Sequence, residues 1–165
     1  MKKYELTNIT IKLGSKTLYR IISLVSIPKI NLRKGDLGGF IEDQSNLSHL
    51  GTCWIFDDAM VYNKGKIYDN SLIFNNVRVY NKSRCFGNSI ISGQSLICNH
   101  SNCYGNCNIM DNSLVYNDAS VSGNAELVGI AEVSNGRHFN FGTLSEKYIT
   151  EEEIERINEW RKERN

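Results

Sequence analysis

The sequence predicts an all-β fold, a single-stranded parallel β-helix with 18 residues in each coil. Two observations carry this prediction. From Ile55 to Val133 an aliphatic residue or a cysteine returns at every sixth position without a slip. Two residues after each of the first thirteen anchors, the chain carries only Gly, Asn or Asp, which adopt positive φ at low cost. We therefore expect one tight corner every six residues.

The anchors close a triangle. They are Ile55, Val61, Ile67, Ile73, Val79, Cys85, Ile91, Ile97, Cys103, Ile109, Val115, Val121, Leu127 and Val133. A period of six excludes an α-helix, whose period is about 3.6, and the strands are too short for a meander. Three strands and three corners make one coil of a triangular prism, and successive coils stack as parallel strands about 4.8 Å apart.

The pattern resembles the hexapeptide-repeat superfamily of left-handed parallel β-helices, best known from trimeric acyltransferases. The resemblance covers about residues 55–133 and implies a left-handed helix and a trimer. Many members have Gly directly after the anchor, whereas this chain has Tyr or Phe at most of these positions. The segment KGDLGGFIEDQSNLS, followed by Trp54, also resembles a motif in uncharacterised phage and prophage proteins with similar repeats.

The chain divides into three parts. Residues 1–40 are expected to form an N-terminal β-hairpin cap, residues 41–136 the hexapeptide-repeat β-helix, and residues 137–165 a linker and a C-terminal amphipathic α-helix. Alternating apolar and polar residues in the first part predict two strands joined at Gly14 and Ser15. The cap would cover the open edge of the first coil.

Both ends of the repeat carry further signals. Ile41 and Leu47 are early anchors, and a two-residue slip at Cys53 and Trp54 separates them from the main series. The capping box Thr150–Glu153 predicts the start of the C-terminal helix. This helix is expected to cover the last coil or, alternatively, to bind a partner.

Composition limits the classes of function. A net charge of +1 gives no overall field that would favour nucleic acid or a membrane as partner. There is neither an apolar run long enough to span a membrane nor a secretory leader, so we expect a cytoplasmic protein, in the host cytoplasm if phage-encoded. The five cysteines include no CxxC pair. We therefore expect no metal and no cofactor, and interpret Cys85, Cys103 and Cys107 as small buried fillers.

Two of the three outer faces are apolar. Residues that flank an anchor point outward, and residues 18 positions apart share a face. Trp54 is expected on one of these faces. Because both are too apolar for a monomer in water, we expect a homo-oligomer, a trimer first and a dimer as the alternative. The expected interface comprises Met60, Tyr62, Leu72, Phe74, Tyr80, Ile90, Leu96, Leu114 and Tyr116.

The third face carries what we call the basic-aromatic patch. It comprises Lys64, Lys66, Tyr68, Lys82, Arg84, Phe86, His100 and Tyr104. Cations suit phosphate and aromatic rings suit a stacked base, so the patch predicts an anionic, planar ligand. The alternative is a solvated face that keeps the prism soluble. A neutral corner is expected to form a structural Asn ladder; it carries Asn70, Asn88, Asn106 and Asn124.

The sequence therefore predicts a binding protein and leans against an enzyme. We expect a phage-type, oligomeric β-helix that counters host defence by capturing a nucleotide-like signal or a host defence protein. The first alternative is a small acyltransferase with His100 as general base, since the resembling enzymes commonly use a histidine there. Against it, the unbroken register provides no protruding loop for an acceptor pocket. The second alternative is a structural assembly module that acts through the apolar faces.

Overall fold

The computed structural model describes residues 2–146, and most of this range forms a parallel β-solenoid with 18 residues per turn. Ile73 lies between Ile55 and Ile91 on neighbouring parallel strands, 18 residues from each. The all-β prediction and the parallel coil are confirmed. No α-helix occurs within the described range. The predicted C-terminal helix lies outside the described residues.

Long strands precede short ones. The three long strands are β1 (Tyr4–Leu13), β2 (Lys16–Ser23) and β3 (Leu37–Ile41). The two-residue strands are β4 (Trp54–Ile55), β5 (Met60–Val61), β6 (Lys66–Ile67), β7 (Leu72–Ile73), β8 (Arg78–Val79), β9 (Arg84–Cys85), β10 (Ile90–Ile91), β11 (Leu96–Ile97), β12 (Asn102–Cys103), β13 (Asn108–Ile109), β14 (Leu114–Val115), β15 (Ser120–Val121), β16 (Glu126–Leu127), β17 (Glu132–Val133), β18 (His138–Phe139) and β19 (Thr143–Leu144). Two 3-10 helices, Pro28–Ile30 and Gln44–Asn46, lie in connecting segments.

The strands build three sheets. Sheet 1 has the order β1-β2-β3-β5-β8-β11-β14-β17, sheet 2 the order β4-β7-β10-β13-β16-β19, and sheet 3 the order β6-β9-β12-β15-β18. Strands β18 and β19 pair in parallel with β15 and β16. The coil stack therefore extends past residue 136 to Leu144.

The anchor series forms the core. Every predicted anchor from Ile55 to Val133 has at most 1% of its surface exposed. Small residues fill the space between anchors, and the Oγ atoms of buried Ser71 and Ser89 lie 2.8 Å apart. Since full burial of an aliphatic side chain is worth about 1.5–3 kcal/mol, the stacked anchors are the main source of stability. All five cysteines are buried and free.

The predicted corners are confirmed. The position two residues after each anchor from Ile55 to Leu127 has φ between 52° and 76°. Most L-residues pay about 1–2 kcal/mol in this region, which explains the restriction to Gly, Asn and Asp. At Gly93 a Cβ atom would also lie 2.4 Å from the carbonyl oxygen of Asp111 in the next coil.

Asparagine side chains form hydrogen-bonded ladders along two corners. The predicted ladder is confirmed, with N···O distances of 3.0–3.2 Å from Asn70 through Asn88 and Asn106 to Asn124. A second ladder, which the sequence analysis missed, runs through Asn63, Asn81, Asn99 and Asn117. The residues of this second ladder also have positive φ, so one residue type satisfies both the corner and the ladder.

The N-terminal strands extend sheet 1. Strands β1 and β2 pair antiparallel across a turn at Gly14, β2 pairs antiparallel with β3, and β3 pairs in parallel with β5. Ile41 lies opposite Val61, an offset of 20 residues. Since the coil repeat is 18, the predicted two-residue slip is confirmed.

Trp54 corrects one prediction. The sequence places it on an outer face, but it is fully buried. The ring of Tyr4 packs edge-on against it at 6.2 Å, and the Tyr4 hydroxyl donates to the carbonyl oxygen of Leu47 at 2.8 Å. The buried Lys3 ammonium donates to the carbonyl oxygen of Cys53 at 2.8 Å. The N-terminal residues therefore lie over the first coil and cover the indole.

Candidate ligand-binding site

Sheet 3 and the corner that leads into it carry the basic-aromatic patch. Lys66 on β6 and Arg84 on β9 are direct partners in the parallel ladder, and both are exposed. Lys64, Lys82 and His100 occupy the preceding corner in three successive coils and are also exposed. The coil that buries the anchors thus brings together basic residues that are 18 positions apart in sequence.

Six of the eight patch residues line two adjacent grooves, whereas Phe86 and Tyr104 line neither of them. The larger, with a volume of about 810 Å³, follows the corner and is lined by Lys16, Glu42, Asp43, Ser45, Asn63, Lys64, Asn81, Lys82 and His100. The smaller, of about 410 Å³, lies over sheet 3 and is lined by Ser45, Ser48, Lys66, Ile67, Tyr68 and Arg84. Ser45 lines both, so the grooves meet at the 3-10 helix Gln44–Asn46.

One wall of the larger groove comes from residues that the sequence analysis missed. The Lys16 ammonium donates to Glu42 Oε1 at 2.7 Å, and Glu42 Oε2 accepts the backbone N–H of Asn63 at 2.5 Å. Asp43 accepts the backbone N–H of Ser45 at 2.8 Å. These residues precede the regular repeat, so its period gives no signal for them.

This wall is negatively charged at neutral pH. The hydrogen bond from Lys16 is the main cause that lowers the pKa of Glu42. The backbone N–H of Ser45 is the main cause that lowers the pKa of Asp43. Both carboxylates are therefore ionised, and Lys16 neutralises only one of them. The groove is basic along the corner and acidic at the end formed by the first coil.

The lysines and the arginine of the patch form no salt bridge within the described residues. Lys64, Lys66, Lys82 and Arg84 form no ion pair with another residue of the range 2–146. Like charges directly opposite each other in a sheet are destabilising, and Lys66 faces Arg84 in this way. An anion seated between them would turn this repulsion into two favourable contacts.

The aromatic residues form a column of stacked rings. The centroids of Tyr68 and Phe86 are 4.9 Å apart and those of Phe86 and Tyr104 are 5.0 Å apart, with interplanar angles of 5° and 6°. Both faces of Phe86 are therefore covered by its neighbours in the column. Burial raises the pKa of the Tyr68 hydroxyl. The structure disfavours the expected base stacking on Phe86, because only the edge of that ring remains open.

His100 differs from the lysines of its corner in backbone conformation. Its φ is 66°, and the preceding Asn99 is also positive at 54°. Histidine is among the non-glycine residues that tolerate this region best. His100 lines the larger groove beside Lys82. The structure thus places this histidine with the patch, as the sequence predicts.

A second histidine lies on sheet 3, beyond the patch. His138 Nδ1 is 2.6 Å from Ser120 Oγ, and His138 Nε2 is 3.1 Å from Ser122 Oγ. Its ring centroid is 6.3 Å from that of Tyr104. Because both ring nitrogens are engaged by serine hydroxyls, His138 continues the column of side chains and has no free nitrogen for a ligand.

The expected oligomer interface divides between two sheets. Sheet 1 carries Met60, Tyr62, Tyr80, Leu96, Leu114 and Tyr116, and sheet 2 carries Leu72, Phe74 and Ile90. Tyr62 is only 9% exposed, because it clusters with Leu18 and Phe40 of the same chain. Ile90 is 40% exposed. Part of the apolar surface of sheet 1 is thus covered within the chain, and the oligomer interface stays a prediction.

The chain is a parallel β-solenoid with a basic groove along one corner. No family model matches it, and no curated protein does. Within residues 2–146 there is no group of three side chains suited to hold a metal ion. The helices of that range are all too short to cross a lipid bilayer. Function is therefore inferred from the chemistry of the groove.

Proposed function

We propose that this protein binds a small anionic ligand, such as a nucleotide-like signal, along the basic-aromatic patch and acts by binding rather than by catalysis. One observation carries the proposal. Coil stacking gathers Lys64, Lys66, Lys82 and Arg84 beside two grooves, and none of the four forms a salt bridge within the described residues. Lysine and arginine make their strongest hydrogen bonds to phosphate and carboxylate oxygens.

The biological setting rests on resemblance. The segment KGDLGGFIEDQSNLS is similar to a motif of phage and prophage proteins. A phage protein that binds an anionic signal would counter defence in the host cytoplasm. A phage protein that binds a host defence protein with an acidic surface would do the same. Left-handed coiling and a homotrimer are parts of this proposal that follow from the likeness to hexapeptide-repeat proteins.

Calorimetry with inorganic triphosphate tests the proposal. We expect one triphosphate per chain, and we expect the double variant Lys82→Ala, Arg84→Ala to lose binding at least about tenfold, since a hydrogen bond to a charged group contributes about 1.5–3 kcal/mol. Arg78→Ala is the matched control, because Arg78 is an exposed cation on sheet 1. Equal binding by the double variant and the control, with both folded by circular dichroism, would overturn the proposal.

His100 favours an acyltransferase as the second candidate, because it lines the same groove as Lys82 and Glu42. A histidine in such a groove can take a proton from an acceptor hydroxyl or amine. In that case acetyl-coenzyme A should raise the melting temperature, and His100→Ala should abolish turnover, whereas Arg78→Ala on sheet 1 should leave turnover unchanged. No thermal shift with acetyl-coenzyme A would count against the enzyme.

The exposed apolar surface of sheet 2 favours an assembly role as the third candidate. Ile90 is 40% exposed, and the partly buried Leu72 precedes it in the same ladder. If this surface joins subunits, Leu72→Asp should dissociate the oligomer in native mass spectrometry. We also propose that the N-terminal hairpin caps the first coil, since open strand edges promote aggregation.

A further inference from the structure

The corner column of the larger groove changes sign along its length. The same corner position is occupied by Lys64, Lys82, His100 and Asp118 in successive coils. His100 and Asp118 share a positive φ, 66° and 63°, and both are exposed. The basic part of the column therefore ends at a carboxylate one coil beyond His100.

The opposite end of the groove is also acidic. Glu42 and Asp43 line it beside Lys64, and both carboxylates are ionised at neutral pH for the reasons given above. The parallel column on sheet 3 is limited too, because Ser48 lines the smaller groove beside Lys66, and neutral Asn102 follows Arg84. Cations thus occupy only the middle of both columns.

We infer that the ligand is a short oligophosphate with two or three phosphate groups, and that the carboxylates at the two ends of the groove disfavour binding of long polyanions. This inference rests on the anion-binding function proposed above. With coils about 4.8 Å apart, the column from Lys64 to His100 spans about 10 Å. An anionic chain that continues past either end meets Asp118 or the pair Glu42 and Asp43.

The penalty at the Asp118 end follows from Coulomb's law. A phosphate charge about 5 Å from the Asp118 carboxylate in water is bound about two- to fourfold less tightly, depending on salt screening. The centre of a triphosphate on Lys82 lies about 10 Å from Asp118, two coils away, so this carboxylate repels a triphosphate more weakly than a chain that continues past His100. Neutralising this one carboxylate should affect long and short ligands differently.

The test compares inorganic triphosphate with long-chain polyphosphate in calorimetry on the full chain. Asp118→Asn should tighten binding of long-chain polyphosphate about two- to fourfold and leave triphosphate nearly unchanged. Asparagine tolerates the positive φ at this position, so the fold is retained. Asp111→Asn is the control, because Asp111 is an exposed corner residue with φ of 59° on the edge between sheets 2 and 1.

The outcomes separate the two proposals. If triphosphate binds through Lys82 and Arg84 but Asp118→Asn does not selectively favour polyphosphate, the inference of a bounded groove is wrong and the anion-binding function stands. The inference of a bounded groove is also wrong if the unmodified protein binds long-chain polyphosphate more than about tenfold tighter than triphosphate, with both affinities expressed per chain bound. If neither anion binds, both proposals are wrong.

Discussion

Replacing Arg84 with glutamate should stabilise the ligand-free protein while it abolishes anion binding. Arg84 lies opposite Lys66 in the parallel ladder. At a separation of about 4.8 Å in water, two like charges repel by about 0.9 kcal/mol, and the substitution replaces this repulsion with attraction of the same size. Screening at physiological salt reduces each term to roughly half, so the net gain is about 1 kcal/mol.

Urea unfolding at low and at high salt measures this gain. Arg78→Glu is the matched control, since Arg78 is an exposed strand residue whose ladder neighbours are the uncharged Met60 and Leu96. We expect Arg84→Glu to raise the free energy of unfolding relative to this control, and the difference to shrink as salt is added. A difference that is zero at low salt, or that does not respond to salt, would refute the idea that the patch holds unrelieved repulsion.

Three further predictions concern the scaffold. Asn81→Ala loses two ladder hydrogen bonds and places alanine at φ 57°, so it should lower the free energy of unfolding by about 2–4 kcal/mol. The control Asn88→Ala loses two such bonds at a position without positive φ, so it should lower the free energy of unfolding by only about 1–2 kcal/mol. Equal costs in urea unfolding would contradict this account. Because the folded pKa of Glu42 lies below its ordinary value of 4.5, its stabilisation is present above that pH and is lost as pH falls through the lowered pKa. Glu42→Gln should therefore reduce the loss in free energy of unfolding as the pH is lowered. If the variant loses as much stability in acid as the unmodified protein, other groups cause the loss. Burial raises the pKa of the Cys107 thiol, so iodoacetamide should modify it only after unfolding in urea. Rapid modification of Cys107 in the native protein, detected by mass spectrometry, would show that the coil around it opens.

The sequence predicted the coil well because its period repeats one physical demand. Every six residues an inward side chain must be apolar and a corner residue must accept positive φ. A residue that departs from the pattern at one position therefore does not hide the repeat. The N-terminal part has no such redundancy. Nothing in its alternation specifies that Tyr4 covers Trp54 or that β2 pairs with β3, since these contacts depend on how the strands meet the first coil.

The candidate site was predictable only in part. Positions 18 apart share a column, so the sequence alone brought Lys64 and Lys82 together. It did not reveal the acidic wall at Glu42. That residue precedes the two-residue slip, so the 18-residue spacing does not place it, and its contact with Lys16 is known only from the structure. The sequence also did not reveal that the ring faces of Phe86 are covered. The spacing of aromatic residues is the same whether their rings stack face to face or point apart.

Because each coil contains 18 residues, the number of residues that precede a side chain determines the sheet on which it lies. Removal or duplication of one whole coil, such as residues 70–87, would return every later side chain to its own sheet and change only the length of each column. Removal of a single six-residue unit would rotate all later residues by one sheet. Every side chain that now follows on sheet 3 would then lie on a different sheet, although the core and its corners would be unchanged. The binding groove can thus be lengthened or shortened only in steps of a full coil.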